Sequence, residues 1–322
     1  VITVLGTAQD GTTQQSYTVT INRAAPSTVA TLSGLVLSNG SLNTTFSSNT
    51  TSYTASVANM VSSITVTPTV TDATASVSVN GDPVVSGQSS GVLNLGVGDN
   101  VISIVGLAQD GITQQSYTVT ITRAAPSSVA TLSAVSISNG VNINPGFSSS
   151  TSNYSASVAN SVSSITLTPT VSDASATVSV NGDAVVSGQS SGLLNLGVGT
   201  NVITLVGTAQ DGSTQQSYTI TITRAAPATD ASLADLVISR GILSPAFASG
   251  TTSYSATVAT SVGSITLTPT LTNSTATVTV NGDPVISGRT TGAINLGIGA
   301  NVIRIEGTAQ DGSTQQTYTL NI

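Results

Sequence analysis

The sequence predicts an all-β protein built as a tandem array of β-sandwich domains, about 100 residues per repeat. Three observations predict it: a long internal repeat, apolar/polar alternation in short runs, and the lack of any sustained helical period. The segment Ala8-Gln9-Asp10-Gly11 returns at Ala108–Gly111, Ala209–Gly212 and Ala309–Gly312, at spacings of 100, 101 and 100 residues, each time leading into Gln-Gln-x-Tyr-Thr. Val79-Asn80-Gly81-Asp82 returns at Val180–Asp183 and Val280–Asp283, and Ala24-Ala25-Pro26 at Ala124–Pro126 and Ala225–Pro227. Solenoid turns and propeller blades repeat every ~20–50 residues, so a unit of this length is a whole small domain. The expected domains are 28–125, 128–226 and 229–322, preceded by residues 1–26 as the last two strands of a partial repeat.

In the middle unit the strand signals run in order: Leu132–Ser138, Tyr154–Val158, Ser164–Val171, Ala176–Asn181, Val185–Ser187 with Leu193–Leu196, Val202–Ala209, and Gln216–Thr223. Ile165, Leu167, Pro169 and Val171 alternate with Ser and Thr, as do Tyr218, Ile220 and Ile222. Each sheet therefore has one buried and one wet face, and two such sheets pack face to face. The last unit fixes the phase of the penultimate strand. Its segment is Val302-Ile303-Arg304-Ile305-Glu306, in which Arg304 and Glu306 belong in water. Ile303 and Ile305 are then core, and by transfer so are Ile203 and Leu205, and Ile102 and Ile104. Tyr117, Tyr218 and Tyr318 fall on the inward phase too. The Asn-Gly-Asp and Gln-Asp-Gly segments supply residues that accept positive φ in tight turns, and Gly197 and Gly199 mark another turn.

Composition excludes most chemistry. Among 322 residues there is no His, Cys or Trp, all six basic residues are arginines, and Glu306 is the only glutamate. No Ser–His–Asp triad, Cys–His pair, imidazole or thiolate metal site, or disulfide framework can be assembled from this set. No catalytic residue and no cofactor is nominated. The net charge of −7, with six arginines spread over the partial repeat and the three domains, disfavours nucleic acid as a partner. No apolar run approaches the ~18 residues of a membrane span, so no membrane insertion is expected in this segment.

Leu32-Ser33-Gly34-Leu35-Val36-Leu37-Ser38, then Phe46, then Tyr53-Thr54-Ala55-Ser56-Val57, and finally Ala108–Gly111 to Tyr117-Thr118-Val119-Thr120-Ile121-Thr122-Arg123 form a series that recurs through the chain. It returns as Leu132, Phe147, Tyr154 and Arg224, and as Leu233, Phe247 and Tyr254. The series resembles the bacterial cadherin-like β-sandwich domain over nearly the whole chain. That resemblance implies an immunoglobulin-like topology and tandem modules of large secreted or surface-attached bacterial proteins. It implies a scaffold role and an extracellular or cell-surface location, and it names no activity.

Calcium needs six to eight oxygens. The middle unit offers Asp173, Asp183 and Asp211 with no Asp-x-Asp cluster, so these aspartates are assigned to turns and no metal site is expected. The repeated arginines carry a sharper expectation, drawn from the implied topology. Arg123 ends a last strand and would face Asp211 at the near pole of the next domain, as Arg23 would face Asp110 and Arg224 would face Asp311. The alternative is an arginine without a partner at a strand end. Asn-x-Ser/Thr at Asn39, Asn43, Asn49, Asn153 and Asn273 reflects the hydroxyl-rich composition, and Thr65, Thr67, Thr69 and Thr71 read as a solvent face.

Val1 aligns with Val101, so residues 1–25 form one amphipathic hairpin, which is marginal alone. Its cover is expected either from the rest of that domain in a longer protein or from another chain by strand complementation. Arg289, Arg304 and Glu306 have no charged counterparts in earlier units and mark 229–322 as a candidate terminal repeat. The function expected is that of a structural protein, an extracellular stalk or fibre that self-assembles by strand complementation in one variant of the reading. The alternative is an adhesin binding a carbohydrate or host-surface ligand through its loops. The partners expected are neighbouring repeats of the same chain and, for a fibre, further copies of it.

Overall fold

In the repeat spanning 128–226 the chain forms nine strands: β1 (Leu132–Ile137), β2 (Asn153–Val158), β3 (Ser164–Ile165), β4 (Leu167–Val171), β5 (Thr177–Val180), β6 (Asp183–Val185), β7 (Leu194–Asn195), β8 (Gly199–Thr208) and β9 (Gln215–Arg224). Five of them make one sheet in the order β2-β9-β8-β5-β6. The pairs β1–β4 and β3–β7 complete the sandwich. The computed structural model describes all of residues 1–322, and the chain divides into two units, 1–127 and 128–322.

The long β8–β9 hairpin is antiparallel over ten register pairs, with Ile203 opposite Ile220 and Leu205 opposite Tyr218. All four are buried, as the alternation predicts. Burying such side chains stabilises the fold by about 1.5–3 kcal/mol each. Strand β2 lies parallel to β9, from Asn153↔Thr219 to Val158↔Arg224. Phe147 stacks on Tyr154 with ring centroids 5.5 Å apart and tilts against Tyr218 at 5.7 Å, which supplies aromatic bulk to an otherwise aliphatic core.

The tight turn between β5 and β6 has Asn181 at φ 51° and Gly182 at φ 92°, the pair of positive φ values that a two-residue hairpin requires. Gly207 is fixed for a different reason. A Cβ there would lie 2.1 Å from the carbonyl oxygen of Ala130, so only glycine admits the chain leading into β1.

Two strands differ from expectation. The run Ser164–Val171 is not one strand, because it changes partner at Thr166: β3 pairs with β7, and β4 with β1. The inward phase of Ile165, Leu167 and Val171 is unbroken across the switch, so alternation cannot reveal it. The second difference concerns Val185–Ser187, where the ladder ends at Val185. The chain then runs beside β4 without forming a strand, and serine hydroxyls replace the ladder. The Leu167 amide donates to Ser191 Oγ at 3.0 Å and the Val171 amide to Ser187 Oγ at 3.0 Å. Between them lies Pro169, whose carbonyl accepts the Gly188 amide at 2.8 Å and whose missing N–H needs no partner on that side.

The repeat 229–322 has the same plan, with a five-stranded sheet and core residues that include Leu233, Tyr254, Leu267, Ile305 and Tyr318. Its strand Ser253–Ser255 has three residues where β2 has six, matching a shorter partner strand, Gln315–Asn321. In the unit 1–127, residues 28–125 again form the sandwich, around Leu32, Tyr53, Val66, Ile104 and Tyr117. Residues 1–26 form the expected hairpin, Ile2–Thr7 with Gln14–Val19. Every residue of it is exposed, and Tyr17 is 60% accessible where its counterpart Tyr117 is fully buried.

Candidate functional site at the strand-end arginines and linkers

Arg224 shares the inward phase of Ile220 and Ile222 but stands beyond the apolar core, where the loops present carbonyl oxygens. Its Nε and Nη2 both donate to the Asn160 carbonyl, at 2.8 and 2.6 Å, and its Nη1 donates to the Leu196 carbonyl at 2.9 Å. Arg123 does the same one repeat earlier, donating from Nε to Asn59 at 2.7 Å and from Nη1 to Leu95 at 2.9 Å. The guanidinium fork suits two divergent carbonyls, and it ties the end of the last strand to two loops of its own repeat.

The aspartates nominated with them close their own turns. Asp211 accepts the Ser213 and Thr214 amides at 2.8 Å each and the Thr214 hydroxyl at 2.6 Å. Asp311 repeats this with Ser313 and Thr314, and Asp110 with Ile112 and Thr113. The threonine hydroxyl, followed by the backbone amides, holds the Asp211 and Asp311 carboxyls down at about 2 and lowers that of Asp110. Within 128–322, Arg224 and Asp311 thus take their partners separately. Within 1–127, Arg123 and Asp110 do likewise, and Arg23 is exposed. The ion pair present is Arg304–Glu306, on the outer face of the last repeat.

The linker after Arg224 is held by amides. On the upstream side the Ala225 amide donates to the Val158 carbonyl at 2.9 Å, and Asn160 Nδ2 donates to the Ala225 carbonyl at 2.9 Å. On the downstream side the Ala228 amide donates to Gln310 Oε1 at 2.9 Å, and the Asp311 amide donates to the Ala228 carbonyl at 3.2 Å. In 1–127 the same clasp joins Ser27 to Gln109 and Asp110. Sequence reasoning fixed on the charged residue of Ala-Gln-Asp-Gly and missed the glutamine beside it. The recurrence of Gln109, Gln210 and Gln310 was the available signal. No group of three or more acidic side chains comes together, and no helix is long and apolar enough to cross a membrane.

A relative from Evansella cellulosilytica, named "Putative membrane protein", is 36% identical over 137 residues, which is 39% of this chain and 20% of that protein. The chain thus spans about a fifth of the relative it matches. Among solved structures it is similar to the protocadherin GammaB4 extracellular domain, at 11% identity and a TM-score of 0.26, over 99% of this chain and 58% of that one. It is also similar to Drosophila N-cadherin EC1-4, at 13% identity and a TM-score of 0.20, over 91% and 75%. The family model described as the cadherin-like beta sandwich domain matches residues 31–124, 132–225 and 233–322, so that this chain belongs to the cadherin-like β-sandwich family as three tandem copies.

Proposed function

We propose that this chain is a non-catalytic structural segment of a bacterial surface or secreted protein, in which the tandem repeats act as a stalk that sets distance. The observation that carries this reading is the doubly held linker. Ala225 is bonded to one repeat and Ala228 to the next, leaving only Ala226 and Pro227 between the anchored residues. Proline fixes φ within this short stretch and restricts bending further. Tandem family domains and a relative named as a membrane protein support a location outside the cell. The lack of His, Cys and Lys, and the occupation of turn aspartates by local hydrogen bonds, support the absence of catalysis.

Small-angle scattering tests the stalk. Residues 128–322 with Gln310→Ala and with Ala226-Pro227 replaced by Gly-Gly should show a broader distribution of distances than the unaltered pair of repeats. Identical curves would remove the linker from the explanation.

A second reading is a fibre subunit that assembles by strand complementation, with the hairpin Ile2–Thr7/Gln14–Val19 covered by a neighbouring copy. Light scattering over a concentration series separates the two. Growth of 1–322 into long particles, with 27–322 remaining monomeric, identifies a fibre subunit. A concentration-independent monomer for both identifies the stalk.

A further inference from the structure

The last repeat carries one hollow whose rim differs from its sisters in residue type. Between the Thr277–Val280/Asp283–Val285 hairpin and the segment that follows it lies a cavity of about 300 Å³, floored by Val280, Val285 and Ile294. Its rim carries Asp283, Ile286, Arg289, Thr290 and Ala293. Two of these positions set the repeat apart. Arg289 stands where the other repeats have Gln88 and Gln189, and Ala293 where they have Val92 and Leu193. Leu193 is 71% exposed, a bulky apolar side chain on the rim position that Ala293 takes in the last repeat. One substitution removes side-chain bulk from the rim and the other adds a cation beside it.

The Arg289 guanidinium makes no hydrogen bond or ion pair within the protein, unlike Arg123, Arg224 and Arg304. Its backbone is fixed by the bond from its amide to the Ile286 carbonyl at 2.9 Å. Thr290 is held by its hydroxyl against that of Thr268 at 3.0 Å. Asp283, on the same rim, offers carboxylate oxygens as acceptors. An unpaired planar fork recognises a carboxylate bidentately. Acceptor oxygens and a threonine hydroxyl suit ligand hydroxyls, and the Ile286 and Pro284 side chains provide apolar walls for a C–H face.

We propose that this hollow binds one acidic sugar unit, a uronic acid of a polysaccharide, with its carboxylate on Arg289 and its hydroxyls toward Asp283 and Thr290. The site is independent of the stalk reading, since a spacer works with or without a ligand at one repeat.

The test is calorimetric titration of the 1–322 chain with a galacturonate tetramer, with a neutral galactose tetramer and a hexaglutamate peptide as controls. The result expected is saturable binding of galacturonate at one site per chain, with no binding of the neutral sugar. Arg289→Gln and Ala293→Leu should each weaken it at least tenfold. Both variants install the residue found at that position in the middle repeat, which folds with it, so loss of binding reports the site and not the fold. The proposal is overturned by no saturable binding of galacturonate, by binding that both variants leave unchanged, or by equal binding of hexaglutamate. Scattering curves of the same variants remain those of the parent whichever way the titration falls, so this result and the stalk test are read separately.

Discussion

The phenolic oxygen of Tyr218, in the last strand of its repeat, accepts the amide hydrogen of Leu132, in the first, at 3.1 Å, while donating to the Ser149 carbonyl at 3.1 Å. Tyr117 and Leu32, and Tyr318 and Leu233, are related in the same way. The two ends of each sandwich are thus joined through one buried hydroxyl. Removing it leaves a buried N–H without a partner, which costs about 1–3 kcal/mol. Tyr218→Phe should destabilise the middle repeat by that amount in denaturant unfolding, with faster amide hydrogen exchange at Leu132. Unchanged exchange at Leu132 would show that the hydroxyl is dispensable.

Gly207 and Gly192 form a contrasting pair. A methyl group at Gly207 meets the Ala130 carbonyl at 2.1 Å, whereas one at Gly192 meets nothing within 4 Å and strains no positive φ. Gly207→Ala should destabilise by about 1–3 kcal/mol or more through forced backbone shifts. Gly192→Ala should be neutral or stabilise by up to about 1 kcal/mol by restricting the unfolded chain. Equal thermal midpoints for the two variants would overturn the close-approach explanation.

Ser191 is buried, accepting the Leu167 amide and donating to the Gly192 carbonyl at 2.8 Å. Ser191→Ala strips a buried amide of its acceptor, at about 1–3 kcal/mol. Ser191→Thr should be tolerated, because Thr291 fills the same role toward the Leu267 amide in the last repeat at 3.0 Å. Chemical denaturation of the two variants side by side checks the ordering.

The turn aspartates set an acid limit. The Asp211 and Asp311 carboxyls titrate at about 2 in the folded chain, below their ordinary 3.8. A carboxyl lowered by folding contributes stability that is full above the ordinary value and lost as pH falls from there through about 2. Thermal midpoints should therefore be flat from pH 7 to 5 and fall below pH 4. Asp211→Asn should flatten part of that fall in the middle repeat, and an identical pH profile would assign the acid sensitivity elsewhere.

The parts of this fold that follow the two-residue period were legible from residues alone. Ile203, Leu205 and Tyr218 are buried because alternation dictates which face they occupy, and the Asn181-Gly182 turn follows from the φ values those residues accept. What period cannot carry is partner identity. The switch at Thr166 preserves phase, and Ser187 and Ser191 look like any other serine in a chain that is about one third Ser and Thr. Arg224 was legible in part. Its parity with Ile220 and Ile222 points inward, but the carbonyls of Asn160 and Leu196 that meet it come from loops with no sequence mark.

The parallel ladder between β2 and β9 has a mechanical consequence. Once β1 has come away from β4, tension applied at the two ends of a repeat pulls the start of β2 and the end of β9 in opposite directions along their common axis. The six register pairs from Asn153↔Thr219 to Val158↔Arg224 then carry the load in shear and must yield together, where a hairpin pulled open at its mouth would yield one pair at a time.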